Sequence, residues 1–324
     1  MSQADPDALL QQALGLLENN DYAAALPVLD RVLKVNPKSD HALWCKGCAL
    51  SALGRHAEAA AAYLECSKVA PDRAIVWFNL GNALQNMGSP AQALDCFDMA
   101  TRLDADFADA WINKGRLLDD RGDPAEAVEC YDKALKLAPD DVVAWSNRGN
   151  SLKALGKPKE ALASYKKALK IDPNDFAALV GTADCLMALG KPAEGIKFAD
   201  RGLEMNPEWT ATWCNRGLML AELGKHKEAL KSLERAAELE PETPEIWNNL
   251  GEILFRLKRL EDAVERFDRA LAVADDYAPA WFGKARVLFN LDRRKEATKA
   301  ARRFLELAPD DPKAKAMRAL LDAA

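Results

Sequence analysis

The chain has 324 residues, 44 basic and 50 acidic, giving a net charge of −6 and a pI near 5.4. That acidic balance excludes a protein whose main task is neutralising phosphates, so no nucleic-acid partner is expected. A hydrophobic share of 49% with 29% charged residues excludes wholesale disorder, and no apolar run approaches the roughly 20 residues that span a bilayer. Seven cysteines are an odd number, too dilute for a disulfide scaffold, and Met1 to Pro6 show neither a basic nor an apolar leader region. A cytoplasmic protein without a membrane partner is the expectation.

Read in chain order, the sequence repeats itself. Starting at Pro6, units begin at 6, 40, 74, 108, 142, 176, 210, 244 and 278, nine in all, covering 6–311 without insertion or deletion. Trp77, Trp111 and Trp145 keep this 34-residue beat, as do Trp213, Trp247 and Trp281. In the third unit Trp77, Leu80, Gly81 and Leu84 fall on one helical face; after Gly88, Ala93, Phe97 and Ala100 do the same. Each unit is therefore predicted to be two helices of about 14 residues joined by a tight turn. The turn carries Gly54, Gly88, Gly122, Gly156, Gly190 and Gly224, with Asn20 in the first unit, as a left-handed backbone requires. Pro90, Pro124, Pro158 and Pro192 then open second helices. Gly47, Gly81, Gly115, Gly149, Gly217 and Gly251 lie inside first helices and are expected to face Ala59, Ala93, Ala127, Ala161, Ala229 and Ala263 across a close backbone approach.

The sixth unit departs from its neighbours. Leu179 stands for the tryptophan, Ala199 for the aromatic, and Ala183 with Gly195 exchange the usual glycine and alanine. Gly195 and Gly202 inside its second helix predict a soft joint at 176–209, with Trp209 the candidate to fold back over the lost aromatic. The tail, 312–324, reads as a capping helix begun by Asp311-Pro312. Ala314, Met317, Leu320 and Leu321 are expected to cover the last unit.

On these residues the chain resembles the tetratricopeptide repeat family. Trp77, Leu80, Gly81, Ala93 and Phe97 follow its pattern, as do Trp111, Gly115, Ala127, Tyr131 and Pro139, and then Trp145, Gly149, Ala161, Tyr165 and Pro173. The resemblance implies an all-α fold, a right-handed α-α superhelix of nine hairpins plus the carboxyl-terminal capping helix. It also implies a groove lined by the second, fifth, sixth, ninth, twelfth and thirteenth positions of each unit, in which protein or peptide segments bind. At the sixth position stand Asn79, Asn113, Asn147, Asn215 and Asn249, interrupted by Gly181 and Gly283. Their amides both donate and accept, suiting the backbone of an extended peptide. This row is similar to that in the superhelix of the O-linked N-acetylglucosamine transferases. The fifth positions carry no lysine, which disfavours the carboxylate clamp of the chaperone-binding members. A hot spot is expected at the far end of the groove, where Phe255, Phe282 and Phe289 should converge beside Arg256, Arg286 and Asn290.

Nothing in the sequence points to catalysis or to a cofactor. Gly-Lys at 156–157, 190–191 and 224–225 follows a helix each time and lacks a Ser or Thr next, so these are turns. His41, Cys45 and Cys48 share a helix face, but the outer two are separated by roughly 10 Å along the axis. No second Cys pair completes a site, so no metal is expected. A non-catalytic scaffold is the first expectation and self-association the second. For the latter, residues 1–162 carry 17 basic and 23 acidic groups, and 163–324 carry 27 of each. Between Lys284 and Arg318, eleven basic groups oppose five acidic ones.

Overall fold

A computed structural model describes residues 5–322, so the reading of residues 1–4 and of the last two tail residues lies outside it. Two compact units divide the chain, Met1–Lys157 and Pro158–Ala324. The first holds α1 (Pro6–Glu18), α2 (Tyr22–Val35), α3 (Asp40–Ala52), α4 (His56–Val69), α5 (Ala74–Asn86), α6 (Pro90–Leu103), α7 (Ala108–Arg121), α8 (Pro124–Leu137) and α9 (Val142–Ala154). The second holds α10 (Pro158–Ile171), α11 (Phe176–Ala188), α12 (Pro192–Met205), α13 (Thr210–Glu222), α14 (His226–Leu239), α15 (Pro244–Arg256), α16 (Leu260–Val273), α17 (Ala278–Asn290), α18 (Arg294–Leu307) and α19 (Ala314–Asp322). Among the described residues there is no strand; the fold class is all-α, built from helical repeats.

Within each unit, helices pair as hairpins and hairpins stack on their neighbours: α3 packs on α4, α4 on α5, α15 on α16, and α16 on α17. First helices also touch one another, α3 on α5 and α13 on α15 among them. The hairpin turn repeats with the sequence. Gly54, Gly88, Gly122, Gly156, Gly190 and Gly224 all have φ between 68° and 91°, and Asn20 has φ 59°. The last two hairpins place Lys258 (φ 63°) and Asp292 (φ 56°) at the same slot, where a Cβ makes this conformation costly.

At four of the helical glycines the nearest atoms are those of an aromatic ring, a packing that the expected glycine–alanine pairing did not include. A Cβ on Gly81 would lie 2.8 Å from the buried Phe97 ring, and one on Gly251 would lie 2.7 Å from Phe267. Gly47 and Gly115 face Tyr63 and Tyr131 in the same way. A ring is the larger apolar payload, so the glycine makes room for it and the alanine fills what remains. Gly217 is intermediate: its neighbours are the Leu233 side chain and, at 3.3 Å, the Ala229 carbonyl.

Each repeat tryptophan ties its helix to the preceding loop. The indole N–H groups of Trp77, Trp111, Trp213, Trp247 and Trp281 donate to the carbonyls of Pro71, Ala105, Pro207, Pro241 and Asp275 at 2.7–2.9 Å. A second regular link runs between neighbouring hairpins. Lys46, Lys114, Arg148, Arg216 and Lys284 pair with Asp30, Asp98, Asp132, Asp200 and Asp268 at 2.5–2.7 Å.

In the sixth repeat the space left by Ala199 is filled by Met219 from the next first helix, fully buried against Ala183 and Ala199. Trp209 does not fold over it. That ring is 45% exposed and stands edge-on to Phe176 at 5.4 Å. An unbranched thioether reaches an irregular gap that an indole, fixed at the loop, does not enter. At the chain end Ala314 and Met317 are buried as expected, whereas Leu320 is 38% exposed. The helix starts at Ala314 rather than Pro312, after a turn in which the Lys313 N–H donates to the Asp311 carboxylate at 2.7 Å.

Candidate functional site

The first helices of the carboxyl-terminal unit enclose a cleft of about 510 Å³. Met187 and Ala188 of α11, Leu218, Ala221 and Glu222 of α13, and Asn249, Glu252, Ile253 and Arg256 of α15 line it. Its floor is apolar and its rim carries one amide, two carboxylates and a guanidinium, the mixture that holds and orients a ligand. Asn249 and Arg256 were legible as groove residues; Met187 and Leu218 were not singled out, although they occupy the twelfth and ninth positions of their repeats.

A second first-helix cleft, of about 490 Å³, lies in the amino-terminal unit between α7, α8 and α9. Asn147, Asn150 and Ser151 line one side, Arg116, Asp119 and Asp120 another, with Tyr131 at the base. The Asp119 carboxylate accepts from Tyr131 Oη at 2.9 Å and from Ser151 Oγ at 2.7 Å. Burial lifts its pKa above the ordinary range; these hydroxyl donors counter the rise, and neighbouring Asp120 adds to it.

The asparagines divide by environment, and all five are half-buried. Asn113 Nδ2 donates to Asn82 Oδ1 at 3.0 Å, and Asn215 Nδ2 donates to Asp184 Oδ1 at 2.7 Å, each reaching the ninth position of the preceding repeat. Asn147 and Asn249 line the two clefts, one in each unit. Asn79 lies on neither.

The expected phenylalanine hot spot is organised differently from its reading in sequence. Arg286 comes between the rings, its guanidinium 4.8 Å from the Phe255 centroid and 5.3 Å from that of Phe282. The same guanidinium pairs with Glu252 at 3.1 Å, a rim residue of the cleft. Phe282 stacks on Phe304 at 5.2 Å and is covered by Lys313 at 5.0 Å, so the hairpin and the tail occupy that ring. Phe289 is half-buried against the same core, and the Asn290 amide donates to the Arg286 carbonyl. The three rings therefore do not form one open patch: a cation separates two of them, and fifth-position aromatics pack into their own hairpin, as Phe78 does on Phe97.

Burial raises the thiol pKa of six of the seven cysteines, Cys48 and Cys66 among them. Burial pushes Cys45, Cys96, Cys130 and Cys214 up to about 11, leaving them protonated at neutral pH. Cys48 accepts from Tyr63 Oη at 3.4 Å, and His41 lies against Trp44 with 6.2 Å between ring centroids. Among the described residues no helix is long and apolar enough to cross a membrane.

Family models described as tetratricopeptide repeat match residues 10–72, 46–84, 78–142, 142–175, 214–279 and 258–321. Between them lies 176–213, the repeat in which Leu179 and Ala199 replace the aromatic residues. No curated protein matches the chain. Among solved structures it is similar to YrrB, described as a TPR protein with an unusual peptide-binding site. The identity is 25% over 56% of this chain and 94% of that one, with a TM-score of 0.51. It is similar in fold to the APC/C hetero-tetramer Cut9-Hcn1, at 18% identity over 88% of this chain and 56% of that one, TM-score 0.58. PilF of Pseudomonas aeruginosa is likewise similar in fold, at 20% identity over 65% of this chain and 96% of that one, TM-score 0.57. With one set of repeat models covering well over half its length and every first helix on the same 34-residue register, the chain belongs to the tetratricopeptide repeat family.

Proposed function

We propose that the chain is a non-catalytic scaffold that holds extended or helical protein segments in its first-helix clefts. One observation carries this reading: Asn249 stands at the rim of an open cleft whose floor is Met187, Leu218, Ala221 and Ile253. An apolar side chain of a bound segment would rest on that floor while the amide pairs with its backbone. Glu222, Glu252 and Arg256 would select among flanking charges. Asn147 offers the same backbone contact in the other unit, beside the carboxylates of Asp119 and Asp120. The peptide-binding description of YrrB supports the same class of ligand. Asn79, Asn113 and Asn215 fit a supporting role, and Arg286 with Phe255 fixes Glu252 at the cleft edge.

The test is selection of peptides from a random-sequence display library on the full chain, followed by fluorescence anisotropy of an enriched peptide. Leu218→Glu should weaken binding about tenfold or more, because it places a charge on the apolar floor. Asn249→Asp should weaken it less, and circular dichroism of both variants should match wild type. An enriched peptide indifferent to both substitutions contradicts the reading.

A further inference from the structure

Five repeats carry an aspartate that pairs with the next hairpin, whereas the last repeat carries a cation in that register, as the fifth also does at Lys166. Asp30, Asp98, Asp132, Asp200 and Asp268 each meet a cation of the following repeat. The residue in this register on α18 is Arg302, and no further hairpin follows it among the described residues. Lys295, Thr298, Lys299 and Arg302 lie at i, i+3, i+4 and i+7, so one face of α18 presents three cations and a hydroxyl.

That face borders a cleft of about 520 Å³ whose remaining lining is Trp281, Arg303 and Glu306. Arg303 is neutralised by Glu306 at 3.2 Å, whereas Lys295, Lys299 and Arg302 make no ion pair among the described residues. Lys284, 5.5 Å from the Trp281 ring, is held by Asp268. The indole N–H is spent on the Asp275 carbonyl, so Trp281 offers only its apolar surface to the cleft. The cleft beside Trp247, one repeat earlier, offers a comparison, although part of its lining comes from α14. It has nearly the same volume, about 480 Å³, but balances Arg266 and Arg269 with Glu234 and Glu238. Its two arginines pair with Glu265 and Glu242 and lie 5.7 Å from the Trp247 ring. Of these two clefts, the terminal one combines an indole wall with three cations that make no ion pair among the described residues.

We propose that the Trp281 cleft is a second docking site, separate from the first-helix clefts, and that it takes an acidic segment of a protein partner. Carboxylates of that segment would meet Lys295, Lys299 and Arg302, and an apolar side chain among them would lie on the indole. The partner is defined by charge complementarity: a surface with this excess attracts anions and repels a basic segment.

The test uses the full chain and a fluorescein-labelled peptide of eight glutamates around a central leucine, read by anisotropy at low ionic strength. Wild type should bind, and binding should fall steeply by about 0.5 M salt. The triple variant Lys295→Glu, Lys299→Glu, Arg302→Glu should bind about tenfold more weakly or worse. A variant with the same change in net charge on α14 and its capping residue (Lys225→Glu, Lys227→Glu, Lys231→Glu) should bind as wild type does, and so should Leu218→Glu, which reports on the first-helix cleft alone. No binding by wild type, or equal loss in both triple variants, overturns the site. A single-stranded oligonucleotide of equal charge binding more tightly at these residues overturns the peptide assignment. So does self-association of the wild type, abolished by the α18 reversal, because a second copy would then be the occupant.

Discussion

The guanidinium of Arg201 donates to the carbonyl of Pro173 at 2.6 Å, the position served elsewhere by a tryptophan N–H. In two repeats that have the tryptophan, the cation at the register of Arg201 lies over the indole instead: Lys133 over Trp111 at 4.1 Å and Arg269 over Trp247 at 5.7 Å. With Leu179 in place of the indole, the arginine reaches past it to the loop. One side chain thus replaces both the ring and its hydrogen bond. Arg201→Met should therefore cost about 1 kcal/mol in urea unfolding, whereas Lys133→Met should cost less, because Trp111 keeps its own bond to the Ala105 carbonyl. Equal losses would show that the loop is not held this way.

Met219 and Gly195 form the other compensation in that repeat. A Cβ on Gly195 would stand 2.6 Å from Met219 Sδ and 3.2 Å from the Ala183 carbonyl. Met219→Ala should lose about 2–5 kcal/mol through the cavity it leaves. Gly195→Ala alone should also destabilise, while the double variant should be more stable than the sum of the two, since the added methyl enters the vacated space. Strict additivity would show that the two do not share this volume.

Lys258 and Asp292 occupy turns that six other repeats give to glycine. Lys258→Gly should raise stability by about 0.5–1 kcal/mol, the relief of left-handed strain less the entropy of a freer unfolded chain. The same change at Asp292 should gain less, because its carboxylate holds Arg294 at 2.8 Å. Thermal unfolding of both single variants measures the difference.

Asp119 makes stability depend on pH in the sense opposite to a salt-bridged carboxylate. Its folded pKa is raised, chiefly by burial, so the native state holds its proton to higher pH than the unfolded chain does. Below the unfolded pKa both states are protonated and the group contributes nothing. As pH rises from there through the raised folded pKa, stability is lost, and above it the loss is constant. Relative to wild type, Asp119→Asn should therefore gain stability across that window and hold the gain at neutral pH. Urea midpoints taken from acid to neutral pH report it, and a gap that narrows with rising pH would contradict it.

Much of the fold was legible because the tryptophans, glycines and prolines carry it in a fixed register. The turn at 20, 54, 88, 122, 156, 190 and 224 could be read from residue type alone. At 258 and 292 only the spacing betrays it, since lysine and aspartate are not turn signatures there. The compensations were hidden for another reason. Met219 and Arg201 act on gaps left by Ala199 and Leu179, 20 and 22 positions away, and no local pattern announces a side chain that crosses between helices. The phenylalanine patch was read from helix spacing, which places Phe255, Phe282 and Phe289 near one another. It is silent on the guanidinium of Arg286, which enters between two of them. Asn147 and Asn249 stand at clefts, whereas Asn113 and Asn215 have partners one repeat back, a difference that residue type at one register position does not carry.

The central claim is that protein segments are held on the first-helix face, and site-specific photo-crosslinking tests it most directly. A photoreactive phenylalanine placed at Leu218, on the cleft floor, and separately at Lys227, on α14, would be irradiated with a library-enriched peptide. Crosslinking at 218, competed away by unlabelled peptide and absent at 227, is the predicted result. Crosslinking at 227 without any at 218 would contradict the account.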